Sequence, residues 1–346
     1  MQYQTDNIRI SGMEELMPAN DLISLQPISE ASSKLVFETR SRISKIVSRE
    51  DKKLIVVVGP CSIHDPKAAI EYASKLREET NQYKDNLEVV MRVYFEKPRT
   101  TVGWKGLIND PDLNNSYDIN KGIAIARQLL REINDLGMAA GTEFLDVITP
   151  QYIADLISWG AIGARTTESQ VHRELTSALS CPVGFKNSTG GGVQVAVDAI
   201  KSAQNPHIFL SVTKEGRTAV FSSKGNEDCH IILRGGKEPN FDSKSIEETS
   251  SLLSKSELTE SIMVDMSHGN SKKQHKKQIE VCENICDQLL SGEKRITGVM
   301  LESNLVEGNQ EIKKKSDLIY GKSITDACLG WEDTRSCLNK LAESLK

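Results

Sequence analysis

Long hydrophobic runs are missing from this sequence of 346 residues. No apolar segment approaches the ~20 residues that a membrane-spanning helix requires. The opening residues 1–6 (MQYQTD) lack the basic start and apolar core of a secretory signal peptide. We therefore expect a protein that is not exported and has no membrane partner.

A cysteine framework is also missing. The seven cysteines are an odd number and are scattered along the chain, which is typical of a reducing compartment. Cys282 and Cys286 lie one turn apart on a helical pattern without a second pair, so we interpret them as buried helix residues. We expect a cytoplasmic protein.

An excess of positive charge is absent. The formal net charge is −5 and the isoelectric point is near 5.8. Proteins that bind duplex nucleic acid usually present a broad basic face, so nucleic acid is not an expected partner.

What the sequence does have is a regular alternation of short apolar runs and helical patterns. Residues 54–58 (LIVVV) are typical of a strand buried on both faces, and Asp65-Pro66 can cap the helix that follows. Eight such strands are predicted: 54–58, 87–93, 138–142, 161–164, 182–185, 229–233, 261–264 and 297–301.

This α/β alternation predicts parallel strands joined by helical crossovers, and eight of them favour a closed (β/α)8 TIM barrel. The alternative is an open doubly wound sheet, which usually carries a glycine-rich phosphate turn after its first strand. The turn at 59–62 (GPCS) lacks the G-x-G-x-x-G spacing, so the barrel is favoured.

Two segments fall outside the barrel pattern. Residues 1–50 form an N-terminal extension with a predicted helix from just after Pro27 to Ser48 and a short apolar piece, 8–10, that could be an edge strand. Residues 207–224 predict an inserted β-hairpin, because two strands flank a turn without a helix between them. The predicted catalytic barrel spans 51–346 and contains this hairpin.

Polar side chains follow the predicted strands at their carboxyl ends, where barrel enzymes place their chemistry. Thiolate, imidazole and carboxylate donors among them suit one divalent metal ion such as manganese, iron, cobalt or zinc. These candidate ligands are Cys61, His268, Glu302 and Asp326. Because they are far apart in sequence, the alternative is a buried Cys61 with His268 outside the ligand set.

The remaining strand-end residues are mostly cations. Such a cluster repels itself unless anions fill it, which indicates a multiply charged phosphate substrate. The cluster comprises Arg92, Lys97, Arg165, Lys186 and Arg234. Glu143 lies among them and could balance charge or orient a water molecule.

With these residues assembled, the chain resembles the type I 3-deoxy-arabino-heptulosonate-7-phosphate (DAHP) synthases, the microbial feedback-regulated kind. The matching stretches follow one another over nearly the whole chain. They are 58–65 (VGPCSIHD), 92–100 (RVYFEKPRT), 103–110 (GWKGLIND), 160–170 (GAIGARTTESQ), 183–187 (VGFKN), 233–236 (LRGG) and 320–326 (YGKSITD).

Enzymes of this family condense phosphoenolpyruvate with D-erythrose 4-phosphate, the first step of the shikimate pathway of aromatic amino acid biosynthesis. The resemblance implies that the four candidate ligands hold the metal. It also implies that the cation cluster binds phosphoenolpyruvate, with Arg165 and Arg234 towards its phosphate. Lys97, Arg99 and Thr100 are expected to reach the phosphate of the second substrate.

The mechanism implied by the resemblance uses the metal as a Lewis acid on the aldehyde oxygen. Carbon 3 of phosphoenolpyruvate attacks the aldehyde, water adds to carbon 2, and phosphate leaves by C–O cleavage. The expected catalytic residues are Lys97, Lys186, Glu143 and His268. Lys186 and Glu143 are placed to handle the water, and His268 or a metal-bound water could supply a proton to the new alkoxide.

One loop departs from the family pattern. After Lys186-Asn187 the family commonly has Gly-Thr-Asp-Gly, whereas residues 188–191 here read STGG. The missing carboxylate lies beside a proposed substrate residue, which leaves the role of this loop open. Thr142, before Glu143, is a milder difference that we expect the barrel to tolerate.

Two other functions fit the same fold. A sugar-phosphate aldolase would use Lys186 as a Schiff-base nucleophile and would need no metal. A regulatory barrel would bind a phosphometabolite without turnover, although pure sensing does not require a Lewis acid.

Feedback regulation by an aromatic amino acid is also implied by the resemblance; the alternative is that the extension and the hairpin only protect an edge or build an oligomer. Ser211 makes phenylalanine the first choice, because a bare ring has no hydroxyl that needs its own partner. The effector is expected between barrel and hairpin, where a neighbouring subunit of a homodimer or homotetramer could share its extension. The predicted effector residues are Leu175, Leu179, Ser180, Phe209, Ser211 and Val220.

Overall fold

The computed structural model describes residues 3–99, 101–312 and 314–346. The strands are β1 (Leu54–Gly59), β2 (Leu87–Arg92), β3 (Ala140–Glu143), β4 (Trp159–Ile162), β5 (Val183–Lys186), β6 (Ile208–Val212), β7 (Thr218–Ser222), β8 (Cys229–Leu233), β9 (Ile262–Asp265), β10 (Ile296–Glu302), β11 (Val306–Asn309) and β12 (Lys322–Ser323). The α-helices are α1 (Ala19–Leu25), α2 (Glu30–Val47), α3 (Pro66–Thr80), α4 (Ile119–Asp135), α5 (Pro150–Ile153), α6 (Gln170–Ala178), α7 (Gln194–Ala203), α8 (Ser243–Lys255), α9 (Lys277–Leu290) and α10 (Trp331–Glu343).

Eight strands close into a parallel barrel, which confirms the predicted fold. Their order around the barrel is β1-β10-β9-β8-β5-β4-β3-β2. Each predicted apolar run overlaps one of these strands. Nearly every residue in them is buried, because helices cover the outside while side chains fill the interior.

The extension closes the end of the barrel at which the strands begin. Helix α2 packs Ile43, Ile46 and Val47 against side chains that fill the barrel interior, including Trp159. At the same end, Arg40 donates to the carbonyl oxygen of Ile157, just before β4. The helix predicted to end at Ser48 therefore covers the amino-terminal end of the barrel.

The edge strand predicted at residues 8–10 is wrong. Ile10 instead donates its backbone N–H to the carbonyl of Asn7 in a turn, and Ile8 and Ile10 are exposed. A closed barrel has no free edge for such a strand to join.

The inserted hairpin is present as the antiparallel pair β6 and β7, within the predicted segment 207–224. Asn20 of the extension binds its tip, donating its backbone N–H to the Lys214 carbonyl and its amide to Glu215. The extension and the hairpin therefore meet within one chain.

All seven cysteines are free and buried. In the described parts of the chain, no helix combines the length and the apolar character that crossing a membrane requires.

Candidate active site

The carboxyl ends of the strands bring together the residues singled out from the sequence. Arg92, Glu143, Lys186 and Glu302 are the last residues of β2, β3, β5 and β10. Further candidates follow shortly after β1, β4, β8 and β9: Cys61, Arg165, Arg234 and His268. Because parallel strands end at one face of a barrel, these side chains surround a common cleft.

Three of the predicted metal ligands lie close together. The ligand atoms of Cys61, Glu302 and Asp326 all lie within 4.8 Å of one another. Cys61 and Glu302 are buried, whereas the side chain of Asp326 is 61% exposed. One sulfur and two carboxylate donors at this separation form a ligand set that fits a divalent metal.

The chemistry of Cys61 is consistent with a metal ligand. Burial, followed by the negative charge of Glu302, raises the pKa of its thiol to about 11. A divalent cation would favour the thiolate, since only the thiolate is a good ligand. Mixed sulfur, nitrogen and oxygen donors suit manganese, iron, cobalt or zinc.

His268 lies beside these three residues. Its Nε2 is 3.8 Å from Oε1 of Glu302, and its Nδ1 is 2.9 Å from Oδ2 of Asp265. A histidine whose Nδ1 is held by a carboxylate presents Nε2 to a metal, the usual arrangement in metalloproteins. Its φ of 53° is in the left-handed region, a cost that the surrounding contacts must offset.

Asp265 joins His268 to Lys186 in the floor of the cleft. Its Oδ2 is 2.9 Å from Nζ of Lys186, and both side chains are buried. Burial would raise the pKa of Asp265, but the charges of Lys186 and His268 hold it well below its usual range. Asp265 is the last residue of β9, but nothing in the sequence indicates that it pairs with both partners.

Two cations border the candidate metal ligands. Arg92 donates from Nη2 to Oε1 of Glu302 at 3.0 Å, and its guanidinium lies over the ring of Tyr94. Nζ of Lys97 is 3.1 Å from Sγ of Cys61. Arg92 and Lys97 therefore place positive charge where the metal set meets the cleft.

Glu143 carries a buried oxygen without a hydrogen-bond partner. Its Oε1 has none among the described residues, and a buried unpaired acceptor is costly. Gly163 makes room for it, because a Cβ at that position would lie 2.4 Å from Oε1. This carboxylate is available to a water molecule or a ligand group in the cleft.

A cavity of about 550 Å³ opens next to the cleft. Arg99 lines it and is oriented by donating Nε to the carbonyl of Trp104. The cavity is also lined by Glu96, Lys97, Pro98, Thr101, Lys105, Asn109, Leu145, Asp146 and Arg165. Thr100, the other predicted phosphate contact, lies outside the described residues.

Glu96 is a buried carboxyl group of this cavity whose pKa is raised above its ordinary range. Burial, followed by the charge of Asp146, raises its pKa to about 8, and Thr149 donates a hydrogen bond to it. At neutral pH the cations therefore dominate, which suits a phosphate. Sequence analysis gave Glu96 no role, although it lies within the matching stretch 92–100.

The loop after β5, which lacks the family's aspartate, is held by side-chain hydrogen bonds. Asn187 donates to the carbonyl of Gly235 and accepts the backbone N–H of Arg234, which fixes the loop that carries this arginine. The side chain of Ser188 accepts the N–H of Gly192 and closes the turn. A Cβ at Gly190 would meet open space, so a side chain there is not needed for packing.

A separate cavity of about 390 Å³ lies between barrel and hairpin. Five of the predicted effector residues line it: Leu175, Leu179, Ser180, Phe209 and Ser211. Arg40, Asp155 and Lys214 line it as well and supply charge of both signs. Sequence analysis missed these three residues because they come from distant segments.

The expectation that Val220 lines this cavity is not supported by the geometry. Val220 lies on the outer face of the hairpin, where it is 66% exposed, and the adjacent Phe221 lines the cavity instead. Successive residues of a strand point to opposite faces, so an assignment that is off by one residue selects the wrong face.

Comparison with known proteins gives a consistent result. The model of the DAHP synthetase I family matches residues 27–339. Phospho-2-dehydro-3-deoxyheptonate aldolase, Phe-sensitive, from Escherichia coli K12 is 59% identical over 100% of this chain and 99% of its own length. The Trp-sensitive enzyme of that strain is 53% identical over 99% of this chain and 98% of its own length.

A solved structure of phospho-2-dehydro-3-deoxyheptonate aldolase from Francisella tularensis superposes with a TM-score of 0.95. It is 55% identical, covering 97% of this chain and 98% of that chain. Family match, sequence identity and fold agree over nearly the full length, and the chain belongs to the DAHP synthetase I family.

Proposed function

We propose that the chain condenses phosphoenolpyruvate with D-erythrose 4-phosphate to give DAHP and phosphate, the first step of the shikimate pathway. The proposal depends mainly on one observation. The candidate metal ligands and five cationic side chains come from the same end of the barrel, where the strands end. Family membership supports it, since the relatives are named for this chemistry.

The metal would be held by Cys61, His268, Glu302 and Asp326. Its chemistry would be that of a Lewis acid, which polarises the aldehyde oxygen of erythrose 4-phosphate. We assign His268 to the ligand set because Asp265 holds its Nδ1 and leaves Nε2 towards Glu302.

Phosphoenolpyruvate would occupy the floor of the cleft. We assign Arg165 and Arg234 to its phosphate, and Arg92 and Lys186 to the end nearer the metal ligands. Arginine forks bind phosphate and carboxylate oxygens in pairs. The cavity with Arg99 and Lys97 would receive the phosphate of erythrose 4-phosphate.

Carbon 3 of phosphoenolpyruvate then attacks the aldehyde carbon, and positive character develops at carbon 2. We assign Glu143 to the water that adds there, because its unpartnered Oε1 can accept the proton. We assign Lys186 to the same water, beside Glu143, while Arg165 and Arg234 stabilise the negative charge of the departing phosphate. The ion pair of Lys186 with Asp265 disfavours a Schiff-base role, which requires a neutral amine.

The test is phosphate release with both substrates, measured on chelated protein and on protein reloaded with Mn²⁺. We expect release only when both substrates and the metal are present. No release under any metal condition would contradict the proposed reaction, and covalent trapping of substrate by borohydride would favour the Schiff-base alternative.

We propose further that an aromatic amino acid inhibits the enzyme from the 390 Å³ cavity. Leu175, Leu179 and Phe209 provide an apolar slot for a ring, and the charged groups of Arg40, Asp155 and Lys214 suit a zwitterion. Phenylalanine is favoured, because Ser180 and Ser211 serve the amino acid's polar groups and a bare ring has no hydroxyl to pair. The Phe-sensitive name of one relative is consistent with this choice.

The assembly we propose is a homodimer or homotetramer in the cytoplasm. Large apolar side chains are exposed on the extension and on the outer face of the hairpin, which indicates that another subunit covers them. Seven free cysteines are consistent with a reducing compartment.

A further inference from the structure

Gln278, near the start of α9, makes a double hydrogen bond with the backbone of Glu302. Its Nε2 donates to the Glu302 carbonyl at 3.0 Å, and its Oε1 accepts the Glu302 N–H at 2.8 Å. The side chain of Gln278 is fully buried. One side-chain amide therefore pairs with both polar groups of a single residue, as a neighbouring strand would.

The position of Glu302 explains why this pairing is needed. β10 is longer than its neighbour β9, and their ladder ends at the pair Met300–Asp265. On the other side β1 still reaches Glu302 through Gly59. The carbonyl of Glu302 also accepts the backbone N–H of Leu329 at 2.9 Å. The buried N–H of Glu302 has no strand partner on the side that β9 leaves open, and Gln278 supplies the acceptor that this N–H requires.

The carboxylate of Glu302 occupies the centre of the candidate metal site. Its Oε1 accepts from Arg92 and lies 3.8 Å from Nε2 of His268, and it groups with Cys61 and Asp326. A rotation of the Glu302 backbone would move this oxygen away from all of these neighbours.

We propose that Gln278 is a positioning residue that fixes Glu302 for metal binding. The proposal rests on the metal site described under Proposed function. Partners of metal ligands commonly alter metal affinity by about 10- to 100-fold when they are removed. No sequence motif marks Gln278, because its role depends on where two strands end.

Gln288 provides a matched control on the same helix. It is also buried, and its amide donates to the carbonyl of Phe241 and to Asn284. Replacing Gln288 removes a buried amide from α9 but leaves Glu302 untouched. A general loss of stability would affect both variants, whereas a loss of positioning would affect only Gln278.

The experiment measures Mn²⁺ binding to the full-length protein by electron paramagnetic resonance of the free ion, without substrates. We expect Gln278→Met to weaken Mn²⁺ binding about 10-fold or more, while Gln288→Met retains the native affinity. Thermal unfolding of the metal-free proteins should show comparable losses for the two variants.

If Gln278→Met does not fold, Gln278→Asn keeps an uncharged amide that is one methylene too short to reach both groups, and we expect the same loss of affinity. Native affinity in a folded Gln278 variant overturns the proposal while leaving the metal site intact. Absence of Mn²⁺ binding by the native protein overturns both. Equal weakening in Gln288→Met would show a general effect of helix α9 and would also overturn it.

Discussion

At the scale of single residues, the partners of the reactive groups were the least predictable feature. The strand ends supplied Cys61, Glu302 and the cations, because barrel chemistry follows strand termini. Asp265, Asn187 and Gln278 acquire their roles from register and from relative strand length, which no local pattern encodes. Val220 lies on the face of the hairpin opposite to the predicted one, because neighbouring residues of a strand point to opposite faces.

The first prediction concerns Cys61. Cys61→Ala removes a proposed metal ligand, and Lewis-acid stabilisation is worth several kcal/mol. We therefore expect the variant to lose bound Mn²⁺ and to show turnover reduced by about 1000-fold or more. Metal analysis measures the bound Mn²⁺, and the two-substrate assay measures the turnover.

Cys181→Ala is a suitable control, because Cys181 is another buried thiol that lies just before β5, away from the candidate ligands. We expect it to retain metal and turnover. A Cys61→Ala protein that turns over at the native rate without bound metal would show that the site is misassigned.

The second prediction concerns Arg165 and Arg234. Each is assigned to the phosphate of phosphoenolpyruvate, and a hydrogen bond to a charged group contributes about 1.5–3 kcal/mol. Arg165→Ala and Arg234→Ala should therefore raise the KM for phosphoenolpyruvate by roughly 10- to 150-fold, with a smaller effect on erythrose 4-phosphate. Steady-state kinetics with each substrate varied in turn provide the measurement, and equal effects on both substrates would refute the assignment.

The third prediction concerns His230 in the barrel interior. Its Nε2 accepts a hydrogen bond from Trp159, its Nδ1 is buried, and burial lowers its pKa to about 4. The unfolded chain therefore binds a proton more readily than the folded protein. The folded state is favoured above the ordinary pKa of about 6.5 and loses this advantage as pH falls towards 4.

From these values, the free energy of unfolding should fall by roughly 2 kcal/mol between pH 7 and pH 5 on account of His230. Urea unfolding at the two pH values measures this change. His230→Gln should show a smaller pH dependence than the native protein. An unchanged pH dependence in His230→Gln would contradict the explanation.

At the scale of elements, barrel strands were predicted more accurately than the helices. Buried apolar runs mark the strands clearly, because both faces of each barrel strand are covered. Helix α9, for example, begins only at Lys277, because Lys272 and Lys273 adopt positive φ in the preceding turn. A helical pattern continued through this turn, so the sequence alone could not show where the helix starts.

The fourth prediction tests the two faces of the hairpin. Phe209 lines the proposed effector cavity and packs its ring 6.0 Å from that of Phe221, whereas Val220 lies on the outer face. Aromatic contacts contribute about 0.5–1.5 kcal/mol beyond burial. Phe209→Ala should therefore raise the phenylalanine concentration for half-inhibition by about 3- to 10-fold or more, without altering uninhibited turnover.

Val220→Ala should leave this concentration unchanged, and inhibition curves for the two variants and the native enzyme make the comparison. If the substitution at Phe209 has no effect while Val220→Ala weakens inhibition, the effector binds on the other face of the hairpin.

At the scale of the whole molecule, a short loop connects the mouth of the barrel to the cavity between barrel and hairpin. The segment 163–169 contains Arg165 and connects β4 to α6, whose residue Leu175 lines the proposed effector cavity. A change in α6 therefore has a direct route to the active site. Allosteric coupling of this kind typically amounts to about 1–3 kcal/mol.

The fifth prediction concerns the beginning of the chain. Ile8 and Met13 are 64% and 85% exposed, and Leu210 on the hairpin is 83% exposed. Large apolar side chains exposed on both segments are consistent with contacts between subunits. Deleting the first ~15 residues removes the exposed part of the extension but keeps Asn20, which contacts the hairpin tip. The length of the deletion follows from the tendency of undocked termini to fray.

We expect the native protein to form a dimer or tetramer by light scattering and to be inhibited by phenylalanine more strongly than by tyrosine or tryptophan. The truncated protein should keep its uninhibited turnover, because the long-range hydrogen bonds of the described residues 3–15 go to Asn120 and not to a proposed active-site group. It should lose most of its inhibition. Undiminished inhibition after truncation would rule out an effector site that shares the extension of a neighbouring subunit. If none of the three amino acids inhibits the native protein, the cavity between barrel and hairpin has another purpose, and the exposed apolar side chains reflect assembly alone.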